Sequence, residues 1–183
     1  MPNTSATGGY LQPASTATPA EDVDLDAILQ GMVAGITGLD GSLVRPRWQP
    51  TIPRTPEIDV NWCAIGVTRI IPDDNAAVLH SGSADGSDTL IRHEDIELLA
   101  SFYGPMDGRY AAMLRDGIQI PQNLEAIRPY GLAFVKAGDM VAMPELFNQQ
   151  WVQRTDLTLV LRRIVSRTYP VLNILSAPVT LTR

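Results

Sequence analysis

The chain has 183 residues, 45% of them apolar, a net charge of −6 and a single cysteine, Cys63. That length suits one domain, burying roughly 70% of the surface its unfolded chain exposes, with no need of a metal or disulfide. One cysteine excludes an intramolecular disulfide and an all-cysteine metal cluster and fits a reducing compartment. No apolar run approaches the ~18 residues of a membrane span, and the N-terminus "MPNTSATGGYLQPASTATPA" lacks the basic start and apolar stretch of a secretory signal, so a soluble protein is expected.

Residues 1–17 are small, polar and without periodicity, and read as a flexible arm. A helix is expected from Thr18, with Thr18 as N-cap, Pro19 at the first helical position and Glu21 completing a capping box. Asp22, Asp24 and Asp26 then lie near the positive end of its dipole. Val23, Ile28, Met32 and Ile36 supply its apolar stripe, and Gly38 or Gly41 ends it. "SLVRPRWQPTIPRTPEID" is a short extended piece running into Pro46, Pro50, Pro53 and Pro56, a density that excludes helix and central strand. It reads as a stiffened loop, with a PxxP ligand as the other reading.

"NWCAIGVTRII" (61–71) is a buried strand by its β-branched and aromatic content. "AAVLHSGSADGSDTLIRHEDIELLASFYG" is a hairpin with "SGSADGSD" at its tip. Its return strand turns Ile96, Leu98, Ala100 and Phe102 one way and Asp95, Glu97 and Ser101 mostly the other. Tyr110, Met113, Leu114 and Ile118 recur at helical spacing, Pro121 interrupts, and a second short helix covers Asn123 to Arg128. A strand from Leu132 to Lys136 and a turn precede the last strand, "RTDLTLVLRRIVSRTY", which Pro170 ends. Leu157, Leu159 and Leu161 share one face of it. The adjacent Arg162 and Arg163 imply a break in alternation, by a bulge or by departure from the core. The expected architecture is α+β: a mostly antiparallel or mixed sheet with helices packed on one face. Its parts are an arm over 1–17, one domain over 18–170 and a C-terminal tail over 171–183.

Catalytic patterns are weak. His80 and His93 flank the hairpin tip and could be cross-strand neighbours, imitating a metal site with Asp95 or Cys63, but no HxxxH or CxxC spacing accompanies them. No GxSxG elbow occurs. "GLDGSLV" and "GSADGSD" lack a phosphate-loop lysine, and "DGSD" lacks the later glutamate of a calcium loop. In "HEDIE", Asp95 and Glu97 share a side opposite Glu94; a small hydrolase on His93, Asp95 and Glu97 competes with a solvated or interface-facing edge. No enzyme is expected, and no catalytic, cofactor or metal residue is assigned.

Charge is unevenly placed. Residues 1–60 carry three basic groups against seven acids, 61–127 four against ten, and 128–183 seven against three. All the basic residues except Lys136 are arginine, which forms planar paired contacts and is enriched in interfaces. An acidic front and an arginine-rich end could join copies of the chain. The arginines of the last strand lack the interleaved aromatics of a single-strand binder, though nonspecific DNA contact through Arg162, Arg163 and Arg167 stays open.

Five segments together, "ITGLDGSLVRPRWQP", "LIRHEDIELLASFYGP", "AAMLRDGIQIPQN", "MPELFNQQWVQRTDLTLVLRR" and "RTYPVLNI", resemble the neck terminator, or tail terminator, proteins of tailed bacteriophages. The resemblance runs from about Thr18 to Ser176 and points towards contractile tails without separating them from non-contractile ones. It implies an α/β sandwich bordering a central channel and a structural role in the virion: a hexameric ring that caps the tail tube and offers a face to the head. The implied partners are further copies of the chain, the tail tube protein, the sheath protein and a head-completion, stopper or adaptor protein of the neck. Genomic DNA would pass through the lumen without sequence-specific binding, no membrane is involved, and assembly would take place in the host cytoplasm. For subunit or partner contacts the candidates are Trp151, Arg154, Arg162, Arg163, Arg167 and Tyr169. Charge reversal of Arg163 is expected to block the ring without unfolding the monomer. A non-catalytic adaptor, docking a partner through the proline-rich loop or last strand, is the alternative.

Overall fold

The structure, a computed structural model, describes residues 3–17, 20–51, 53–147 and 149–174. Its elements in chain order are β1 (Ser15–Ala17), α1 (Asp22–Thr37), a 3-10 turn (Gly41–Leu43), β2 (Val44–Pro46), β3 (Trp62–Pro72), β4 (Ala77–Ser81) and β5 (Ser87–Tyr103). They continue with α2 (Asp107–Gly117), α3 (Pro121–Ile127), a second 3-10 turn (Arg128–Tyr130), β6 (Leu132–Ala142), β7 (Glu145–Phe147), β8 (Gln150–Val152) and β9 (Arg154–Tyr169). Two compact units divide the chain: Met1–Thr18, Asp73–His93 and Val165–Arg183 form one, Pro19–Pro72 and Glu94–Ile164 the other.

The second unit holds the main core. Its strands run β6–β9–β5–β3–β2, with β2 parallel to β3 while β3–β5 and β6–β9 are antiparallel. The sheet is therefore mixed and the fold α+β. Period-2 alternation turns Ile96, Leu98, Ala100 and Phe102 of β5, Leu157, Leu159 and Leu161 of β9, and Cys63 and Ile65 of β3 into one buried cluster. Leu25, Leu29, Met32 and Val33 of α1, Ala111 and Leu114 of α2 and Ile127 of α3 close it. Each fully buried leucine or isoleucine contributes about 1.5–3 kcal/mol, so this layer is the main source of stability.

The helices differ from the sequence expectation in detail. Helix α1 begins after Glu21, whose side chain makes no capping bond to the helix; Thr18 and Pro19 lie outside the described residues. Its buried face is Leu25, Leu29, Met32 and Val33, whereas Val23 is 78% exposed. The i, i+4, i+7, i+8 spacing of those four places them on one face, and Ile28 and Ile36 only border it. Gly38 ends the helix as expected, in the left-handed region at φ 74, its N–H donating to the Ala34 carbonyl at 2.8 Å. Pro121 does not interrupt a helix but opens α3, where a missing N–H costs nothing.

The strands bring two corrections. Strand β6 runs to Ala142 rather than Lys136, because register shifts between Phe134 and Lys136 and between Ala137 and Met140 scramble its alternation. Strand β9 has no break at the arginine pair. Arg163, Arg162 and Leu161 stand opposite Leu132, Ala133 and Phe134 in continuous register, and Arg163 keeps the inward phase of Leu157, Leu159 and Leu161. The irregularity belongs to β6.

The first unit contains the hairpin of β4 with the start of β5, from Ala77 opposite Ile91 to Ser81 opposite Ser87, and the pairing of β1 with the end of β9. Within the N-terminal arm, Ser15–Ala17 is thus strand, antiparallel to Ser166–Thr168. The hairpin tip over 82–86 has the turn-rich sequence expected of it.

Candidate assembly surface

The six candidate contact residues occupy five different environments. Arg163 lies inside the larger unit, its side chain 4% exposed. Its Nε donates to Glu94 Oε2 at 2.9 Å and its Nη1 to the Ala20 carbonyl at 3.1 Å. Arg162, on the opposite face, grips Asp95 with two parallel bonds of 2.7 and 2.9 Å. This fork holds the Asp95 carboxyl below its ordinary value. Alternation along β5 sets both pairs, since Glu94 and Asp95 point to opposite faces just as Arg163 and Arg162 do.

Arg154 belongs to a polar and aromatic layer on the sheet face away from the main core. Trp62 and Tyr103 are directly opposite in the β3–β5 register and stack at 4.3 Å between centroids, with their planes 8° apart. The Arg154 guanidinium sits 5.6 Å over Tyr103, and that of Arg45 sits 6.0 Å over Trp62. Arg154 also donates twice to Asp156, at 2.8 Å each, and more weakly to Glu145 at 3.4 Å. Ser101, expected on a polar outer row, is fully buried in this layer, accepting from Arg47 Nη2 at 2.6 Å. Burial pushes the Asp156 carboxyl up, but the bonds from Arg154 and Ser101 and the charges of Arg154 and Arg47 outweigh it and leave the group below its ordinary value. Burial likewise raises the Tyr103 phenol, with Arg154 opposing it.

Trp151 lies on a small hairpin that sequence reasoning missed. β7 and β8 form a two-stranded sheet of their own, with Leu146 directly opposite Trp151. Both point to solvent, at 58% and 70% exposure. The other side of the hairpin, through Glu145, Gln150 and Val152, lines a cavity of about 540 Å³ together with Trp62, Tyr103 and the 54–60 loop. The signal was alternation in "ELFNQQWV", short enough to be taken for part of a turn; Gln149, at φ 65, supplies the left-handed residue that the tight connection needs. Arg167 and Tyr169 are half-buried at the end of β9, in the first unit.

The histidines are not neighbours. His80 is opposite Asp88, and the hairpin register carries His93 beyond the paired residues. Asp95 is committed to Arg162, and Glu97 stands 4.0 Å from Arg69. Among the described residues no cluster of three or more histidine, cysteine or acidic side chains could hold a metal, and no helix is long and apolar enough to cross a membrane. Cys63 is buried in the main core, and burial pushes its thiol well above the ordinary range.

Compared with known protein families, residues 23–183 match a family model described as phage neck terminator protein. No curated protein matches the chain.

Proposed function

The chain belongs to the phage neck terminator family, whose role is structural, at the junction of tail and head; on that premise we propose that its copies close into a hexameric ring at the head-proximal end of the tail tube. The ring ends the tube, in the manner of contractile-tailed phages, and offers its far face to a head-completion, stopper or adaptor protein. The tube protein lies beneath it, the sheath protein is a further neighbour, and genomic DNA passes through the lumen without being read. The protein acts without catalysis, assembles in the host cytoplasm and ends in the virion neck.

The observation that carries this reading is the family match, which spans nearly all of the larger unit. The β7–β8 hairpin supports it. A lone two-stranded hairpin is marginal in water, yet this one holds Leu146 and Trp151 away from its own domain, an arrangement suited to a neighbouring subunit. A closed ring needs two different complementary surfaces per subunit, and the hairpin is one candidate.

Electron microscopy of purified tails, with mass measurement of the isolated protein, tests the proposal. Six copies in a closed ring at the head-proximal tube end are expected. Single copies at that position, or none in virions and tails, would refute it.

A further inference from the structure

The tip of the β4–β5 hairpin holds a side chain from the other end of the unit. Asn173 donates from Nδ2 to the carbonyls of Gly82 and Ala84, at 3.0 and 3.1 Å, and from its backbone N–H to the carbonyl of Asp85 at 2.8 Å. The tip is shaped for it. Gly86 lies in the left-handed region at φ 96, and a Cβ there would come within 2.6 Å of both the backbone nitrogen and Oδ1 of Asn173. Because its amide nitrogen faces two carbonyl oxygens, the orientation of Asn173 is settled: Oδ1 must face His80, whose Nε2 lies 3.0 Å away. The other ring nitrogen, Nδ1, lies 2.6 Å from Asp88 Oδ1.

Both partners of the imidazole are therefore acceptors. A neutral histidine carries one N–H, so either tautomer leaves a lone pair against an oxygen lone pair. Turning the Asn173 amide would instead set its oxygen against two carbonyls. With Asp88 as the carboxylate, only the doubly protonated ring satisfies every contact. We propose that His80 is a proton-operated latch: as the imidazolium it clasps the 170–174 segment to the hairpin tip, and on losing its proton it lets that segment go.

The same segment secures the N-terminal arm. The Leu172 N–H donates to Ser5 Oγ at 2.7 Å, and the Ser5 N–H to the Pro170 carbonyl at 3.3 Å. Opening the latch thus loosens both chain ends of this unit at once. Among the described residues the charged group facing the ring is Asp88 of β5; Asp85, in the tip, takes part through its backbone carbonyl, and the 170–174 segment presents the neutral Asn173. The hydrogen bonds to Asp88 and then Asn173 raise the affinity of His80 for its proton above the ordinary value of 6.5. Since the folded-state value is raised, the latch is fully closed below the unfolded value and opens as pH climbs through the folded one.

Imidazole ¹⁵N spectra across pH 5–9, read with amide hydrogen exchange corrected for intrinsic rates, test this on the full-length chain. The two histidines are distinguished with a His93→Gln variant. Expected are two protonated nitrogens on His80, a midpoint above that of the urea-unfolded chain, and loss of Asn173 amide protection as pH passes that midpoint. Asp88→Asn should move the midpoint down and open the latch at lower pH, with the β4–β5 amides still protected. A single-tautomer His80 with Asn173 still protected, or protection independent of the His80 titration, would overturn the proposal.

Discussion

Arg163 and Arg162 are adjacent in sequence yet differ most in what their loss should do. Replacing Arg163 with Met removes a guanidinium that is 4% exposed and leaves Glu94, itself 16% exposed, without its cation. The Ala20 carbonyl loses its donor as well. Breaking one side of a buried pair costs about 3–5 kcal/mol, mostly because the surviving charge is stranded. For a chain of this size each kcal/mol shifts the thermal midpoint by about 2–4 °C, so the midpoint should fall by about 6–20 °C. Thermal and urea unfolding of the isolated protein measure this directly. Adding Glu94→Gln to the same chain removes the stranded charge and should restore part of the loss, so the double variant is more stable than the two single losses imply. Arg162→Met, one residue away, exposes its partner to water and should behave as an ordinary surface substitution. If Arg163→Met shifted the midpoint by under about 2 °C, as surface substitutions do, the pair would not be a buried structural element and the inward phase of β9 would be wrong. The sequence expectation that Arg163→Glu blocks assembly while sparing the monomer now becomes the opposite: two carboxylates face each other in a closed space, and folding suffers first.

Three further outcomes follow from named contacts. Asp156→Asn should flatten the acid limb of the stability curve: its depressed carboxyl contributes stability that is present above the ordinary value of 3.8 and is lost as pH falls through the folded value, and urea midpoints measured from pH 6 down to 2 report it. An unchanged acid limb would remove Asp156 from that account. Cys63 should resist a thiol reagent at neutral pH until denaturant is added, because its sulfur is enclosed and its proton tightly held; stoichiometric labelling of the native chain would contradict that placement. Leu146→Ser with Trp151→Ser should leave the monomer's melting nearly unchanged while reducing ring formation on tail tubes, scored by electron microscopy; full ring yield would take the hairpin out of the subunit contact.

Much of the fold was legible because local pattern and tertiary demand agree. Leu157, Leu159 and Leu161, and Ile96, Leu98, Ala100 and Phe102, alternate cleanly and are buried as their phase requires. Gly38 and the "SGSADGSD" tip mark chain reversals by their own chemistry. Legibility failed where a distant residue decides. The inward phase of β9 already placed Arg163 in the core, but accepting an arginine there requires knowing that Glu94, far off in sequence, meets it. Ser101 looked like one more polar residue on a solvent row until Arg47 and Arg154 covered it. The bulges of β6 conceal a period-2 pattern, and three-residue strands such as β7 and β8 offer too little periodicity to register. The helix stripe erred because α1 has apolar residues on more than one side, and only packing selects among them.

The same pairing changes the meaning of the uneven charge. From composition, an acidic front and an arginine-rich end resemble two flanks waiting for one another on different subunits. In the folded larger unit, β5 and β9 are neighbours, and part of the difference is met there, Glu94 with Arg163 and Asp95 with Arg162, while Arg154 pairs with Asp156 inside β9 itself. A guanidinium already forked to a carboxylate gains little by exchanging it for another, since the first pair must be broken and its members desolvated anew. For a ring of such subunits, the attraction then has to come mainly from groups that find no use at home, and large apolar side chains held in water fit that description. Leu146 and Trp151 do so as a cross-strand pair on a hairpin of their own. The arginines, by contrast, are held in pairs on the sheet behind it.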